Sequence, residues 1–378
     1  MARITAITHI GLVHELGADK AYGMARGLTP VRNCGLIQVE TDAGITGLGE
    51  AWGPAAMVDA ALDVVRTYFM GHQIHDREQV PPYIYAQRYH FGIQNTLTSV
   101  MGGINIALYD AIGKLFGVPL YKLLGGRGDD RVPAYASDGY FTADPDGELD
   151  AQIISFRDQG FPGVKIKIGR SPADDARRVA RARDLLGDEV ALMVDANGNY
   201  TLDMALDSMR RIQEYDIHFY EEPLPPTDFA GYAELRRRAP MAVATGEALY
   251  TAHDFKRLID AGCADVLQPD LTICGGIDVG REVAMLARLG HVRLSPHVWG
   301  GAVGLAAAIH FLAAQPPWPH TDHVPSPAML EYDRGANALR DELLLSPIPC
   351  VDGHLPVPED PGLGIALDWD AVERYRVA

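Results

Sequence analysis

The sequence predicts a parallel (β/α) barrel with a second, smaller unit, and three observations carry that prediction. From about residue 132, short apolar runs (VPAYAS, GVKIKIG, ALMVDAN, IHFYEEP, MAVATGE, ADVLQPD, VRLSPH) alternate with amphipathic stretches such as DDARRVARARDLLG and TAHDFKRLIDAG. Strand–helix alternation repeated this often implies a parallel sheet. The chain's 378 residues exceed a barrel of roughly 250 and leave room for another unit. No Gly-rich dinucleotide fingerprint follows the first strand of the series, which counts against a doubly wound open sheet, the alternative closure.

The elements outside the alternation form the smaller unit. Residues 1–50 hold two β-type runs, ITAITHIGLV and CGLIQVETDAGITGLGE, the second turning at TDAG. Between them, HELGADKAYGMARGLTPVRN is polar, Gly-rich and without a period, which reads as an irregular, mobile segment of the kind that carries function. Residues 56–125 are helical by apolar spacing in AAMVDAALDVVRTYF and GGINIALYDAIGKLFG, and LLGGRGDD closes the unit. The tail from about 335 is rich in Pro and Gly, ends in the helix-like DWDAVERYRV and can fold back onto the N-terminal unit. The expected division is 1–127, 128–335 and 336–378.

Composition narrows the function classes. The chain is 47% hydrophobic and 22% charged, with a formal net charge of -17, which excludes the basic face of a nucleic-acid binder. An anionic substrate stays open, because a metal and a few lysines can reverse the field inside one pocket. Cys34, Cys263, Cys274 and Cys350 form no C-x-x-C pair and read as ordinary thiols of a reducing compartment. No run of about 18 apolar residues suggests a membrane span, and the start lacks a signal-peptide pattern. A cytoplasmic enzyme without membrane or nucleic-acid partners is the expectation.

Position within the module points to chemistry. Asp195 ends MVD, Glu221 ends HFYE, Glu247 ends VATGE, Asp270 ends VLQPD and His297 ends LSPH, at separations of 26, 26, 23 and 27 residues. Each step is about one βα repeat, so all five groups fall at the C-terminal ends of consecutive strands, the rim on which barrels build active sites. Three adjacent carboxylates repel one another unless a cation sits between them. An all-oxygen set without Cys or His favours Mg2+. The competing reading is that each acid caps the helix that follows it.

Lys165 and Lys167, two apart in VKIKI, point to one side of a strand, with Val164, Ile166 and Ile168 on the other. Paired ammonium groups depress each other's pKa and prepare a base near neutral pH; surface lysines on a ragged strand end are the alternative. Asp270 oriented against His297 fixes the tautomer and makes a second acid/base. A lysine and a histidine flanking a carboxylate substrate would remove and return protons, with the metal stabilising the enediolate.

The ordered set K-x-K, DAN, EEP, GE, QPD and PHVWG resembles the enolase superfamily, and within it the mandelate racemase subgroup, across nearly the whole chain. The resemblance implies a (β/α)7β barrel, a modified TIM barrel, with an α+β capping domain built from both chain ends. It makes Asp195, Glu221 and Glu247 ligands of Mg2+, Lys167 the base, Lys165 its electrostatic partner, and His297 with Asp270 the opposite base. Glu331 in MLEYDR takes the place of a carboxylic acid that hydrogen-bonds the enediolate, although His320 and Asp322 lie nearby. Mobile capping loops map to residues 16–32 and about 50–55, including Glu50, Trp52 and Gly53. Gln268 stands where the muconate-lactonizing subgroup would have a lysine, which favours the mandelate racemase branch.

PHVWG, MLEYDR and PGLGIALDWDA are similar to members acting on hexaric or hexonic acids, including those of galactarolactone cycloisomerase type. The leading expectation is Mg-dependent dehydration of an aldonate or aldarate to a 2-keto-3-deoxy acid. Alternatives are cycloisomerisation of a sugar-acid lactone, racemisation or epimerisation of a 2-hydroxy acid, and a sugar-acid-binding barrel without turnover. Asn197, Tyr140, Trp52 and the Val298–Trp299 pair are candidate substrate contacts, with Asp138 as a further one. The partner is a small-molecule acid sugar or lactone, and the resemblance suggests a symmetric homo-oligomer, an octamer among the options.

Overall fold

The computed structural model describes residues 2–143, 148–319, 321 and 324–377. Eight parallel strands run in the order of the chain: Arg131–Asp138, Gly163–Lys167, Ala191–Asp195, Ile217–Glu221, Val243–Thr245, Val266–Leu267, Arg293–Leu294 and Leu330–Asp333. Each of the first six pairs with its successor, and the eighth pairs with the first. Ser295 Oγ donates to Met329 O at 2.8 Å and Glu331 N to Pro296 O at 3.3 Å, bonding the seventh segment to the eighth. One helical segment follows each of the first seven strands, the sixth broken into Leu271–Cys274 and Gly276–Leu289. The architecture is a (β/α)7β barrel.

Local chemistry sets these elements. In the helix Pro172–Leu186, the Ser171 side chain accepts from Asp174 N at 3.2 Å, Pro172 opens the first turn, and Gly187 ends it at φ 74°. Val179, Ala182 and Leu186 recur at helical spacing and are buried against the sheet. Inside the barrel, Tyr135, Met193, Phe219, Ala244, Val266 and Met329 fill one packed layer.

The capping unit is an antiparallel sheet of Ile4–Glu15, Val31–Thr41 and Thr46–Ala51, covered by the helices Ala55–Phe69 and Thr96–Phe116. A side chain at Gly49 would strike the carbonyl of Gly103, so this glycine lets strand and long helix touch backbone to backbone. In the tail, His354–Pro356 pairs with the start of the first barrel strand, and Val377 N donates to Gly11 O at 2.9 Å.

The segment expected to be irregular is instead a β-hairpin. Tyr22–Met24 pairs with Gly27–Thr29 and, on its other edge, with Phe141–Thr142 just beyond the first barrel strand. Cys34, Cys263, Cys274 and Cys350 are all free thiols. Among the described residues, no helix is long and apolar enough to cross a membrane.

Candidate active site

Strand register brings the predicted residues to one rim. Lys167 pairs with Asp195, and Asp195 with Glu221, on neighbouring strands; Glu247 lies two residues beyond the next strand. One oxygen from each of Asp195, Glu221 and Glu247 lies within 4.8 Å of the others, with Asp195 and Glu221 fully buried. Lys165, Lys167 and Glu331 project into the same space, while Val164, Ile166 and Ile168 enter the core behind the strand. The expected parity of the lysines holds.

Each functional group is held by a specific partner. Lys167 Nζ donates to Asp195 Oδ2 at 2.5 Å. Lys165 Nζ meets Glu221 Oε1 at 2.6 Å and Glu331 Oε1 at 2.7 Å. Gln268 Nε2 donates to the second Glu221 oxygen at 2.5 Å. On the far side, His297 Nδ1 lies 2.7 Å from Asp270 Oδ2, so Nδ1–H donates to the carboxylate and Nε2 faces Glu247 at 3.5 Å and Glu331 at 3.8 Å. The capping alternative holds for one of them: Asp270 Oδ1 accepts from Thr272 N at 2.7 Å and caps Leu271–Cys274 while Oδ2 meets His297. Asp195 Oδ1 accepts from Asn197 N at 2.7 Å within the loop and caps no helix, the N-cap of the next helix, Leu202–Ile212, being Thr201.

Charge corrects one expectation. Burial pulls both lysines down, and Lys165 lowers Lys167 further, but the carboxylates outweigh these effects and raise both pKa values, Glu221 and Glu331 acting on Lys165 and Asp195 on Lys167. Among the protein's own charges the lysines are therefore ammonium groups. His297 follows the same logic: burial opposes its charge, yet Glu247, Glu331 and Asp270 lift it to about 10. Burial acts against ionised Glu331 too, but Lys165, His297 and Lys167 hold it down at about 2. Among the protein's own charges Glu331 is thus held as an ion-paired carboxylate.

The donor set fits a hard divalent cation. It is all oxygen, it converges, and Glu247 Oε2 is buried without a hydrogen-bond partner. Glu222 adds a further buried carboxyl group, which burial and the neighbouring Glu247 and Asp195 keep well above the usual carboxylate range.

Aromatic groups wall the rim. The Tyr140 ring lies 5.3 Å from Lys167 Nζ, Trp299 Nε1 donates to Tyr140 Oη at 2.7 Å, and the rings of Trp52 and Trp299 are 5.4 Å apart. Asn197 Oδ1 is buried and accepts no hydrogen bond. Val298 packs into the core, and Asp138 has the strand parity opposite to Tyr135 and Ser137, so neither joins this wall. His320 and Asp322 lie outside the described residues; the eighth strand is the one that carries Glu331.

Two long-range groups escape sequence reading. Arg32, from the capping unit, donates to Tyr22 Oη at 2.6 Å, Asp333 Oδ2 at 2.8 Å and the carbonyl of Trp299, with its guanidinium 3.6 Å over the Trp299 ring. Glu50, expected in a loop over the site, is buried elsewhere. Its carboxylate accepts from Gly301 N at 2.6 Å and Gly304 N at 2.7 Å, capping the helix Ala302–Ala313. Side chains at Gly300, Gly301 or Gly304 would crowd that carboxylate. A glycine-rich helix start without a side-chain cap of its own was the available signal.

The family described as "Enolase C-terminal domain-like" matches residues 148–371, and "Mandelate racemase / muconate lactonizing enzyme, N-terminal domain" matches residues 10–125. The chain belongs to the enolase superfamily. It is 35% identical, over 99% of both chains, to a D-galactarolactone cycloisomerase of Agrobacterium fabrum. It is 30% identical to an arabinonate dehydratase of Saccharolobus solfataricus, over 90% of this chain and 89% of that one. The crystal structure of a racemase from Streptomyces coelicolor with bound magnesium superimposes with a TM-score of 0.86 at 28% identity, covering 99% of this chain and 100% of that one. As a superfamily member with such relatives, the protein is an enzyme of the lyase or isomerase type.

Proposed function

We propose that the enzyme removes the proton α to the carboxylate of an acid sugar in a Mg2+-dependent reaction and then expels the β-hydroxyl, giving a 2-keto-3-deoxy acid. One observation carries the reading: Lys167 lies against Asp195 at one end of the acid triad, and His297 Nε2 faces Glu247 at the other. Two acid/base groups thus flank the place where a substrate carboxylate would approach.

Asp195, Glu221 and Glu247 would hold Mg2+. Bound there, Mg2+ supplies the positive charge that acidifies the α-carbon and offsets the lysine–carboxylate pairing. Lys167 takes the α-proton once it is neutral, and Lys165 opposes its recharging. His297 hands a proton from Nε2 to the departing hydroxyl, while Asp270 holds the ring and its tautomer. Hydroxide is a poor leaving group, so a positioned acid is what dehydration needs. Asn197, Tyr140, Trp52 and Trp299 are the proposed contacts to the sugar chain. The cytoplasmic, symmetric-oligomer setting that the resemblance implies belongs to the same reading.

The full-length similarity to a D-galactarolactone cycloisomerase favours a second reading, in which the leaving group is the ring ester oxygen of a lactone. That group departs as a carboxylate and needs no acid. Incubation with aldonates, aldarates and their lactones tests both. A 2-keto-3-deoxy acid formed from an open-chain acid with Mg2+, and lost on chelation, supports dehydration. Turnover of lactones alone supports the second reading, and turnover of none contradicts both.

A further inference from the structure

A second cavity, of about 370 Å3, opens at the opposite end of the barrel. Its residues belong to the beginnings of strands: Val132 and Pro133 of the first, His218 and Phe219 of the fourth, and Arg293 and Leu294 of the seventh. Phe219, Val266 and Met329, from the packed interior layer, form its roof, so a full layer of side chains separates it from the acid triad. The walls are apolar, with Leu312, Pro317 and Trp318 among them.

Set into these walls is a half-buried cation, Arg293, that forms no ion pair among the described residues. Arg293 Nη1 donates to Ser326 Oγ at 3.1 Å and lies 3.4 Å from His218 Nε2, and both are neutral partners. Asp265, the carboxylate that acts on it electrostatically, is committed elsewhere, accepting from Arg236 Nε at 2.8 Å and Val243 N at 3.0 Å. Burial pulls the Arg293 pKa below its ordinary value, as expected for a guanidinium that has lost water without gaining an anion. Since arginine only donates, His218 Nε2 accepts, and burial together with Arg293 keeps the ring neutral at a pKa of about 4. The His218 proton therefore sits on Nδ1.

We propose that this cavity binds a small monocarboxylate with an apolar or aromatic body, its carboxylate on Arg293 and its body against the apolar walls. Arg131 and Arg288, with Asp129, also line the cavity, so its wall is net cationic and an anionic head group is the matching ligand chemistry. The volume falls in the range of small-ligand pockets, roughly 300–1,000 Å3.

A 19F NMR titration of the Mg2+-loaded protein with 4-fluorobenzoate tests this, with 4-fluorobenzamide as the neutral control. Saturable binding of the acid is expected, about tenfold or more tighter than the amide. Arg293→Met should weaken the acid by about tenfold or more while leaving sugar-acid turnover unchanged. Ala328→Trp, a change at an exposed residue of the cavity wall, should block binding without touching the guanidinium. Both substitutions lie at the end away from the triad, so either loss locates the site. Absence of saturable binding, equal binding of acid and amide, or undiminished binding to both variants would overturn the proposal.

Discussion

Lys167 Nζ donates to Asp195 Oδ2 at 2.5 Å across the register pair joining the second and third barrel strands. The proposed base and a proposed metal ligand therefore share one oxygen, and proton and cation compete for the same charge. Lys167→Ala should lower turnover by about 10²–10⁴-fold while Mg2+ affinity, measured by calorimetry, stays equal or rises. Loss of Mg2+ binding instead would make Lys167 structural.

Asp270 should be needed for its charge and not only for its shape. In Asp270→Asn, the amide can donate to His297 Nδ1, leaving a neutral ring protonated at Nε2, a far weaker acid than the imidazolium that the Asp270 carboxylate supports. kcat should fall by roughly 10²-fold or more, with the acidic-to-basic limbs of the pH–rate profile altered and the melting temperature close to wild type. Unchanged kcat with an unchanged profile would remove the dyad from the mechanism.

Glu50 should govern stability and not chemistry. Glu50→Gln replaces one of two acceptor oxygens by an NH2 group facing a backbone N–H, so a buried donor loses its partner. Denaturant titration should show a loss of about 1–3 kcal/mol, with kcat/KM little changed in the folded fraction. A large kcat loss without destabilisation would place Glu50 at the site after all.

His310 should make the fold acid-sensitive. It is fully buried, its Nδ1 accepting from Tyr121 N at 3.2 Å and its Nε2 donating to Leu363 O at 3.1 Å. Burial drops its pKa from 6.5 to about 4. The unfolded chain therefore binds a proton that the fold refuses between those values, so stability falls as pH drops from 6.5 towards 4. The full effect is about 3 kcal/mol for this group. His310→Gln, which keeps a donor and an acceptor, should flatten that slope in denaturation curves; an unchanged slope would contradict the assignment.

Mg2+ should stabilise the folded protein. At about 100 times its dissociation constant, a ligand of the native state alone adds about 2.7 kcal/mol. The melting temperature should therefore rise with Mg2+, and Glu247→Gln should blunt the rise.

The sequence made legible what repeats. A strand-end acid or His at every module from Asp195 to His297 is a one-dimensional pattern, and closing the barrel turns it into a rim without further information. The K-x-K parity is equally local. What stayed hidden depends on distant partners. Glu50 meets Gly301, 251 residues away, and Arg32 meets Asp333, 301 residues away, and no period marks such pairs. The hairpin Tyr22–Thr29 was hidden because its outer edge pairs with Phe141–Thr142, far along the chain. The lysines' charge was misjudged because their like-charge contact is visible in VKIKI, whereas Glu221 and Asp195 come from other strands.

Proton exchange at the α-carbon tests the central claim most directly. The enzyme with Mg2+ would be incubated in heavy water with aldonates, aldarates and their lactones, and followed by NMR. The account predicts deuterium at C3 of the 2-keto-3-deoxy product, placed there when the enol ketonises, or at the α-carbon of recovered acid, and its loss in Lys167→Ala. If the wild-type enzyme consumes a sugar acid while the α-hydrogen is retained, or exchanges none from any of them, α-proton abstraction by this site is contradicted.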